Sequence, residues 1–367
     1  MKYNIITFGC QMNKSDSERI ASFLEKIGYK PASKENEADL ILVNMCSVRQ
    51  SAVDRIFGLC QRLTKLKIKN KKLKTVLTGC ILKEDKKKFA EKFDLILNIK
   101  DLPNWPKILR KKISVQLVPW HNYYANCDYL KIQPKYQNNF LAFIPISHGC
   151  NNFCSYCVVP YTRGPLVCRD HKEILEEIKN GVKKGFKEIW LLGQNVNDYH
   201  SPTNPSINFP RLLKMVNEIP GDFWIRFISP NPKNFSEELI EVIAKSEKVA
   251  KYLNLPVQSG DNEILKKMNR PYTVEQYKNL VKKIREKIPE INLSTDVIVG
   301  FPGESKEQFE NTVKLFKEIK FNTAYIAKYS PRPGTTAFQM KDDVPWEEKK
   351  RREKILREIL NKTKVTT

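Results

Sequence analysis

The amino-acid sequence predicts an α/β protein in two parts: an N-terminal parallel sheet of the Rossmann type, then a partial TIM-type barrel of six strand–helix units, (β/α)6. Three observations support this prediction. Short apolar runs alternate with stretches of helical periodicity, as in parallel sheets that are covered by helices. A segment rich in aromatic residues, Pro and Asn interrupts this alternation between residues 101 and 138. The 367 residues are also enough for more than one domain.

We expect four segments along the chain: an N-terminal domain at residues 1–125, a linker at 126–139, the partial barrel at 140–344 and a charged C-terminal helix at 345–367. The apolar runs of the first domain are interpreted as buried strands at 3–8, 38–45, 73–78 and 93–99. Those of the barrel lie at 141–147, 188–193, 223–228, 252–257, 291–300 and 323–330. The final helix has Pro345 near its start.

Each of the first three strands runs into a cysteine, and these three residues, Cys10, Cys46 and Cys80, are called the N-terminal triad here. The carboxyl ends of parallel strands share one edge of a sheet, which is where ligands usually bind. We therefore expect the three thiols to converge, although more than thirty residues separate each from the next. The alternative for each one is a small buried apolar residue, the commonest role of a free cysteine.

Three more cysteines, Cys150, Cys154 and Cys157, follow the first barrel strand, where a barrel places its chemistry, and are called the barrel triad. A structural zinc site usually has four ligands. Three thiolates can instead hold three irons of a [4Fe-4S] cluster and leave the fourth iron open to another ligand. The alternative is a zinc site completed by His148 or Cys168, although neither gives a standard zinc spacing.

The charge composition of the chain points to a partner that carries many negative charges. Lys and Arg number 64 against 41 Asp and Glu, for a net charge of +23, which favours a polyanionic partner such as nucleic acid. A lysine run between Leu63 and Lys88 is either a solvated face or a phosphate-binding surface.

The apolar runs are too short to cross a bilayer and no signal-peptide pattern begins the chain, so we expect a cytoplasmic protein without membrane association. Nine cysteines then indicate metal binding or catalysis rather than disulfides.

The Cys-x3-Cys-x2-Cys spacing, with an aromatic residue before the last cysteine, resembles the radical S-adenosylmethionine (SAM) superfamily. The resemblance extends over nearly the whole chain. It is most similar to the tRNA-modifying, MiaB-type branch of the methylthiotransferase family, whose motifs occur here in the same order at 3–18, 44–52, 77–81, 149–164, 191–199, 255–270, 294–304 and 329–335.

The resemblance implies that each triad holds a [4Fe-4S] cluster with one open iron, and that the first 125 residues form the methylthiotransferase domain. It implies that one SAM methylates a sulfur species at the N-terminal cluster, while a second yields a 5′-deoxyadenosyl radical. This radical takes hydrogen from carbon 2 of N6-isopentenyladenosine at tRNA position 37. Such a C–H bond is too inert for acid–base catalysis near neutral pH. Expected partners are prenylated tRNA, a flavodoxin or ferredoxin-type electron donor and a sulfur donor. The enzyme itself is expected to be a monomer.

The alternatives are methylthiolation of threonylcarbamoyladenosine in tRNA or of a ribosomal protein, and a non-catalytic nucleic-acid-binding protein with structural metal sites. Family members normally continue into a TRAM-type RNA-binding domain, whereas this sequence ends at Thr367, so either the domain is absent from the protein or the sequence is a fragment. The lysine-rich surface is then expected to contribute to tRNA binding.

By motif, five residues at the barrel rim are expected to contact SAM: Gln194, Asn195, Gln258, Ser294 and Asp296. Barrel rims also need hydrogen bonds for their own loops, so a structural role is the alternative for each of them. We expect them at or near the carboxyl ends of the barrel strands.

Other residues near these motifs receive weaker assignments. Arg163 follows the barrel triad, and its guanidinium would suit the carboxylate of SAM or a tRNA phosphate. We expect Glu304 to be structural and His148, which departs from the family pattern together with Ser147, to make a loop hydrogen bond. Cys127 is expected to be structural or incidental, as is His121, and Cys60 and Cys168 match no family ligand.

Overall fold

The N-terminal part is a five-stranded parallel sheet. We describe residues 1–48, 50–110 and 127–365 of a computed structural model of the chain; residues 111–126, with His121 and the first linker position, lie outside this description. The strand order is β2-β1-β3-β4-β5, with bounds β1 Lys2–Thr7, β2 Lys30–Pro31, β3 Leu40–Cys46, β4 Lys74–Cys80 and β5 Leu95–Ile96. The helices are α1 Gln11–Lys26, α2 Gln50–Lys69, α3 Lys83–Phe89 and α4 Trp105–Arg110, with 3-10 turns at Glu35–Glu37 and Ile99–Asn104.

The four strands predicted in this part are confirmed, whereas the edge strand β2 was missed. β2 has only two residues, both exposed, so it carries no apolar run that a sequence pattern would reveal. β3 is buried along its whole length, as expected of a parallel strand with both faces covered.

The lysine run of the sequence lies mainly near the amino ends of the strands, opposite the carboxyl ends that carry the cysteines. Its densest part spans the C-terminal end of α2 and the start of β4. α2 starts beside the carboxyl end of β3, where the cysteines lie, and a helix of its length extends about 30 Å. The lysines of α3 begin only three residues after Cys80 and are therefore closer to the cysteine edge.

The second part contains all six predicted barrel strands, in sequence order and parallel. Their bounds are β6 Leu141–Pro145, β9 Glu188–Leu192, β10 Trp224–Phe227, β11 Tyr252–Asn254, β12 Asn292–Val299 and β13 Thr323–Lys328. β6, β9 and β10 form one three-stranded ladder and β11, β12 and β13 another, and a parallel bridge between Ile225 and Val249 joins the two. The predicted partial (β/α)6 barrel is confirmed.

Helices connect these strands and cover the outside of the barrel. They are α5 Val159–Arg163, α6 His171–Lys183, α7 Phe209–Asn217, α8 Glu237–Lys245, α9 Asn262–Lys267, α10 Val274–Lys287, α11 Lys306–Ile319 and the terminal α12 Trp346–Val365. Short 3-10 turns lie at Asp128–Lys131, Val196–Asp198, Pro232–Asn234 and Thr336–Gln339. A small antiparallel pair, β7 Ser147–His148 and β8 Val167–Cys168, closes the loop that carries the barrel triad. No helix among the described residues is long and apolar enough to cross a membrane.

Capping residues set the start of the two longest connecting helices. Thr273 and Gln276 form a capping box at α10, and Ser305 and Gln308 form another at α11. Each box satisfies two backbone N–H groups that the first helical turn leaves unpaired. The helices consequently begin at fixed positions after their strands, which places the strand ends and their loops.

A buried ionic contact joins the two parts of the chain. α1 packs against β6, and the Ser15 hydroxyl donates to the Phe143 carbonyl at 3.1 Å. Between the two parts, Glu177 accepts hydrogen bonds from Arg19 at 2.8 and 3.0 Å and lies 2.8 Å from the Arg169 guanidinium. All three charged residues are buried. This contact fixes α1, which begins directly after Cys10, against the barrel.

Candidate functional site

The structure brings the three cysteines of the N-terminal triad together at the carboxyl edge of the sheet. Cys10 precedes the first residue of α1, and Cys46 and Cys80 are directly paired at the ends of β3 and β4. A hydrogen bond links the thiols of Cys46 and Cys80, and Cys10 interacts electrostatically with both. The hydrogen bond from Cys80 lowers the pKa of Cys46, whereas this bond and burial raise that of Cys80. The predicted convergence is confirmed.

Gly79 permits this arrangement. Its backbone has φ +108°, and a Cβ atom there would lie 2.2 Å from the Met45 carbonyl oxygen. A side chain would force β3 and β4 apart next to Cys46 and Cys80, so only glycine suits this position.

The barrel triad lies in the loop between β7 and α5. Gly149, with φ +83°, opens this loop, and a Cβ atom there would lie 2.0 Å from the Pro165 carbonyl oxygen. Hydrogen bonds from Ser155 N to Met268 O at 3.0 Å and from Ala337 N to Ser155 O at 2.7 Å hold the loop against distant parts of the barrel. The three sulfurs influence one another: after burial, the Cys154 charge raises the pKa of both other thiols, that of Cys157 to about 12.

The donor sets fit a cluster with one open iron better than a single metal ion. Within residues 1–48, 50–110 and 127–365, no group of three or more His, Cys, Asp or Glu side chains is arranged around one ion position. His148 bonds the Tyr129 hydroxyl through Nδ1, its Nε2 has no hydrogen-bond partner among the described residues, and Cys168 packs against the barrel core. Neither completes the barrel triad, so the zinc alternative is not supported. Three thiolates per triad suit three irons of a [4Fe-4S] cluster.

Each triad is contacted by one buried arginine. Nε of Arg163 donates to Sγ of Cys80 at 2.9 Å, and Nη1 of Arg270 donates to Sγ of Cys154 at 3.4 Å. Arg163 is 3% exposed and its guanidinium already contacts Cys80 and Asp16, so its expected contact with a SAM carboxylate or a tRNA phosphate stays a prediction. Arg270 was missed in the sequence, although it ends one of the family motifs, because nothing local indicates that it reaches a cysteine 116 residues away.

Arg163 belongs to a buried polar network between the two triads. Its Nη2 donates to Asp16 at 2.7 Å, and its Nη1 lies 3.4 Å from Nδ1 of His148. The Tyr129 hydroxyl lies 2.8 Å from the same His148 nitrogen and donates to Asp16 at 3.2 Å. Burial and the charge of Arg163 hold the pKa of His148 well below its usual value, so this imidazole is neutral. The loop hydrogen bond expected of His148 is present, but it links the barrel to the N-terminal part.

Two of the residues expected to contact SAM follow β9. Gln194 accepts a hydrogen bond from Gly149 N at 2.5 Å and so supports the loop of the barrel triad. Asn195 is 1% exposed, and neither its amide nitrogen nor its amide oxygen has a hydrogen-bond partner among the described residues. A buried unsatisfied amide is unfavourable. Asn195 is therefore the residue of this set that a bound cofactor would satisfy most directly.

The other three candidates belong to the β11–β12 region. Gln258 has φ +72° and its backbone pairs with β12. Ser294 donates to Asn254 Oδ1 at 2.9 Å, and Asp296 accepts from Asn254 Nδ2 at 2.8 Å. Ser294 and Asp296 are the third and fifth of the eight residues of β12 rather than at its carboxyl end, which corrects the position expected for both. The Ser294 hydroxyl is occupied in bonds within the barrel.

The remaining residues singled out in the sequence have structural environments. Cys60 packs in the core beneath α2, and Cys127 in the core that contains Trp105. Glu304 caps a tight turn, accepting from Gly300 N and pairing with Arg352 at 2.6 Å, so it is structural as predicted.

The fold and the cysteine loop together define a radical SAM enzyme. Residues 144–316 match the model of the Radical SAM superfamily, and residues 2–98 match that of the Uncharacterized protein family UPF0004. The chain is 43% identical over 367 residues to the tRNA-2-methylthio-N(6)-dimethylallyladenosine synthase of Carboxydothermus hydrogenoformans, covering 98% of this chain and 83% of that one. The synthase of the same name from Dictyoglomus thermophilum is 44% identical, covering 95% and 80%.

The chain belongs to the family of tRNA-2-methylthio-N6-dimethylallyladenosine synthases. It is a radical SAM tRNA methylthiotransferase, with [4Fe-4S] and SAM as cofactors. Solved structures agree on the fold: the methyltransferase TsrM from Kitasatospora setae has a TM-score of 0.61 at 14% identity, covering 89% of this chain and 72% of that one. The cobalamin-dependent enzyme OxsB has a TM-score of 0.64 at 13% identity, covering 98% and 56%.

Proposed function

We propose that this enzyme adds a methylthio group to carbon 2 of N6-isopentenyladenosine at tRNA position 37, using two [4Fe-4S] clusters and two SAM molecules per turnover. The N-terminal triad and the barrel triad would each hold one cluster. The observation that carries the proposal is the single buried network of Arg163, His148 and Asp16, which joins Cys80 to the start of the barrel loop. Two sites so connected suit a reaction in which one supplies sulfur and the other the radical.

The barrel residues account for the binding and orientation of SAM. A cluster bound at the barrel triad would supply the open iron and the electron that cleaves SAM. Asn195 offers one donor and one acceptor, both unsatisfied, beside the residue that bonds Gly149. Tyr156 lies between Cys154 and Cys157 in sequence and is half-buried against the apolar cluster of Met268, Phe301 and Tyr329, so it helps to exclude water from the inner side of this loop. A dry site protects a carbon radical from side reactions.

Charge supports an RNA substrate. The net charge of +23 favours phosphate contacts. Lys83 and Lys87 are exposed on α3, which starts beside the carboxyl edge that carries Cys80. Lys69 and Lys72 are exposed near the opposite end of the sheet. We infer that the α3 lysines contact the RNA backbone near the modified base, and that the far lysines contribute less.

Product analysis tests the proposed reaction. The reconstituted enzyme is incubated anaerobically with SAM, a sulfide source, a chemical reductant and one of three tRNAs, carrying isopentenyladenosine, threonylcarbamoyladenosine or unmodified adenosine at position 37. The proposal predicts a 2-methylthio nucleoside only with the prenylated tRNA, detected by mass spectrometry. Product only from the threonylcarbamoyl substrate would overturn the substrate assignment. Absence of 5′-deoxyadenosine with every tRNA would overturn the radical reaction.

Cysteine variants provide the matched control for this assay. C154A removes a proposed cluster ligand and should abolish formation of 5′-deoxyadenosine. C60A removes a buried cysteine that packs in the core and should leave the product unchanged apart from a modest loss of stability. Equal loss of product in both variants would mean that the assay reports folding rather than the barrel cluster.

A further inference from the structure

We propose that Arg163 positions and tunes the N-terminal cluster site, because its Nε–H group donates a hydrogen bond to the sulfur of Cys80 and stabilises the reduced state of the cluster held there. This inference rests on the second cluster of the proposed function. It assigns a specific role to a residue that lies outside both triads.

The geometry leaves this guanidinium no access to solvent or to a large ligand. Arg163 is the last residue of α5, six residues after Cys157, and is 3% exposed. Nε lies 2.9 Å from Sγ of Cys80 and Nη2 lies 2.7 Å from Asp16. Nη1 faces Nδ1 of His148 at 3.4 Å. The three nitrogens of one guanidinium therefore contact three different elements of the fold.

The surrounding charges explain why a cation is stable at this buried position. Asp16 is 0% exposed and carries the compensating negative charge, and a buried charge without such a partner would be strongly destabilising. Tyr129 bonds to both His148 and Asp16. Because Asp16 occupies Nη2 alone, the Nε–H group remains available to the sulfur. Lysine could not make these separate contacts, since all of its N–H donors lie on a single nitrogen atom.

The bond has a redox consequence. One-electron reduction of a [4Fe-4S] cluster adds one negative charge, and hydrogen bonds to the cysteine sulfurs raise its reduction potential. The Arg163 bond is charge-assisted, which makes it stronger than a neutral one. Loss of Arg163 should therefore make the cluster harder to reduce. We expect at least a tenfold smaller reduction equilibrium constant, which corresponds to about 59 mV for a one-electron couple.

The test isolates the N-terminal cluster in the full chain. In a C150A/C154A/C157A background, the iron content is counted first and the cluster is then titrated with dithionite while its electron paramagnetic resonance (EPR) signal is followed. R163M should lower the midpoint potential, and R163K, which keeps the charge but not the Nε donor, should lower it less. D16N should raise it, because the guanidinium charge is then uncompensated. Opposite shifts from two residues of one network are not expected of a purely structural role.

R169M is the matched control. Arg169 is also buried between the two parts and paired with a carboxylate, Glu177, but no hydrogen bond joins it to a cysteine among the described contacts. R169M should weaken the fold and leave the potential unchanged. Should R163M or D16N fail to fold, R163K still decides the question, because it keeps a cation beside Asp16 and removes only the Nε donor. Equal potentials in the background, R163K and D16N proteins would overturn the inference.

The two levels of the proposal fail in different ways. If the background protein binds no iron, the second cluster of the proposed function is absent. If it binds about four irons per chain and the Arg163 and Asp16 variants do not shift the potential, the second cluster stands and the role of Arg163 is refuted.

Discussion

Removal of the Glu177 carboxylate should destabilise the junction between the two parts of the enzyme. Glu177 is 3% exposed, accepts two hydrogen bonds from Arg19 and pairs with Arg169 at 2.8 Å. E177A would leave two guanidinium groups buried without this partner. Breaking a buried ion pair by removing one partner costs about 3–5 kcal/mol. The entropy of unfolding is about 2.1 cal/mol/K per residue. For cooperative unfolding of all 367 residues, this free-energy loss lowers Tm by about 5 °C.

Thermal unfolding followed by circular dichroism at pH 7.5 measures this loss. E176A is the matched control, because Glu176 is the neighbouring glutamate on α6 and is exposed, so its Tm should be unchanged. Burial alone would raise the pKa of Glu177, but Arg19 and Arg169 outweigh burial and lower it. The contribution of the carboxylate is therefore complete above the unfolded-state pKa and lost at more acidic pH. An E177A protein that melts within 1 °C of the wild type at pH 7.5 would refute this reasoning.

Three further predictions concern the buried carboxyl of Glu18, the unsatisfied amide of Asn195 and the exposed lysines. Burial raises the pKa of Glu18 to about 7; because this exceeds the unfolded value, the wild type should lose up to about 3 kcal/mol as the pH rises from about 4.5 to 7. Urea unfolding should show that E18Q removes this loss, and parallel curves for both proteins would contradict it. N195A should weaken SAM binding about thirtyfold in equilibrium dialysis without changing the iron content, since two hydrogen bonds of about 1 kcal/mol each are at stake; unchanged affinity would exclude Asn195 from the SAM site. K83E/K87E should weaken tRNA binding and flatten its salt dependence more than K69E/K72E does, as measured by filter binding at several salt concentrations; equal effects would mean that the cysteine edge does not face the RNA.

Local patterns in the sequence were sufficient for the long strands and for both triads, but not for the two-residue strands β2, β7 and β8. The apolar runs that end at Cys46 and Cys80 specify strand positions, and a parallel sheet brings such ends to one edge. The barrel triad is contained in eight residues, Cys150 to Cys157, so its convergence needs no tertiary information. Its glycine, Gly149, is also explained by local backbone geometry.

Contacts between distant residues were beyond sequence reasoning. Arg163 meets Cys80 from 83 residues away, and Arg270 meets Cys154 from 116 residues away. In sequence, an arginine after a cluster motif is equally suited to a carboxylate, a phosphate or a sulfur. The choice depends on burial by both parts of the chain, and no local pattern encodes that burial. The position of Ser294 in β12 was missed for a related reason, because strand length is set by pairing with β11 and β13.

The central claim is that two cysteine triads each hold one [4Fe-4S] cluster, and iron and sulfide counting after anaerobic reconstitution tests it most directly. The wild-type chain should bind about eight irons. C10A/C46A/C80A and C150A/C154A/C157A should each bind about four, while C60A/C168A, which alters two cysteines outside the triads, should still bind about eight. The claim would be contradicted by about four irons in the wild type, with no loss when Cys10, Cys46 and Cys80 are replaced.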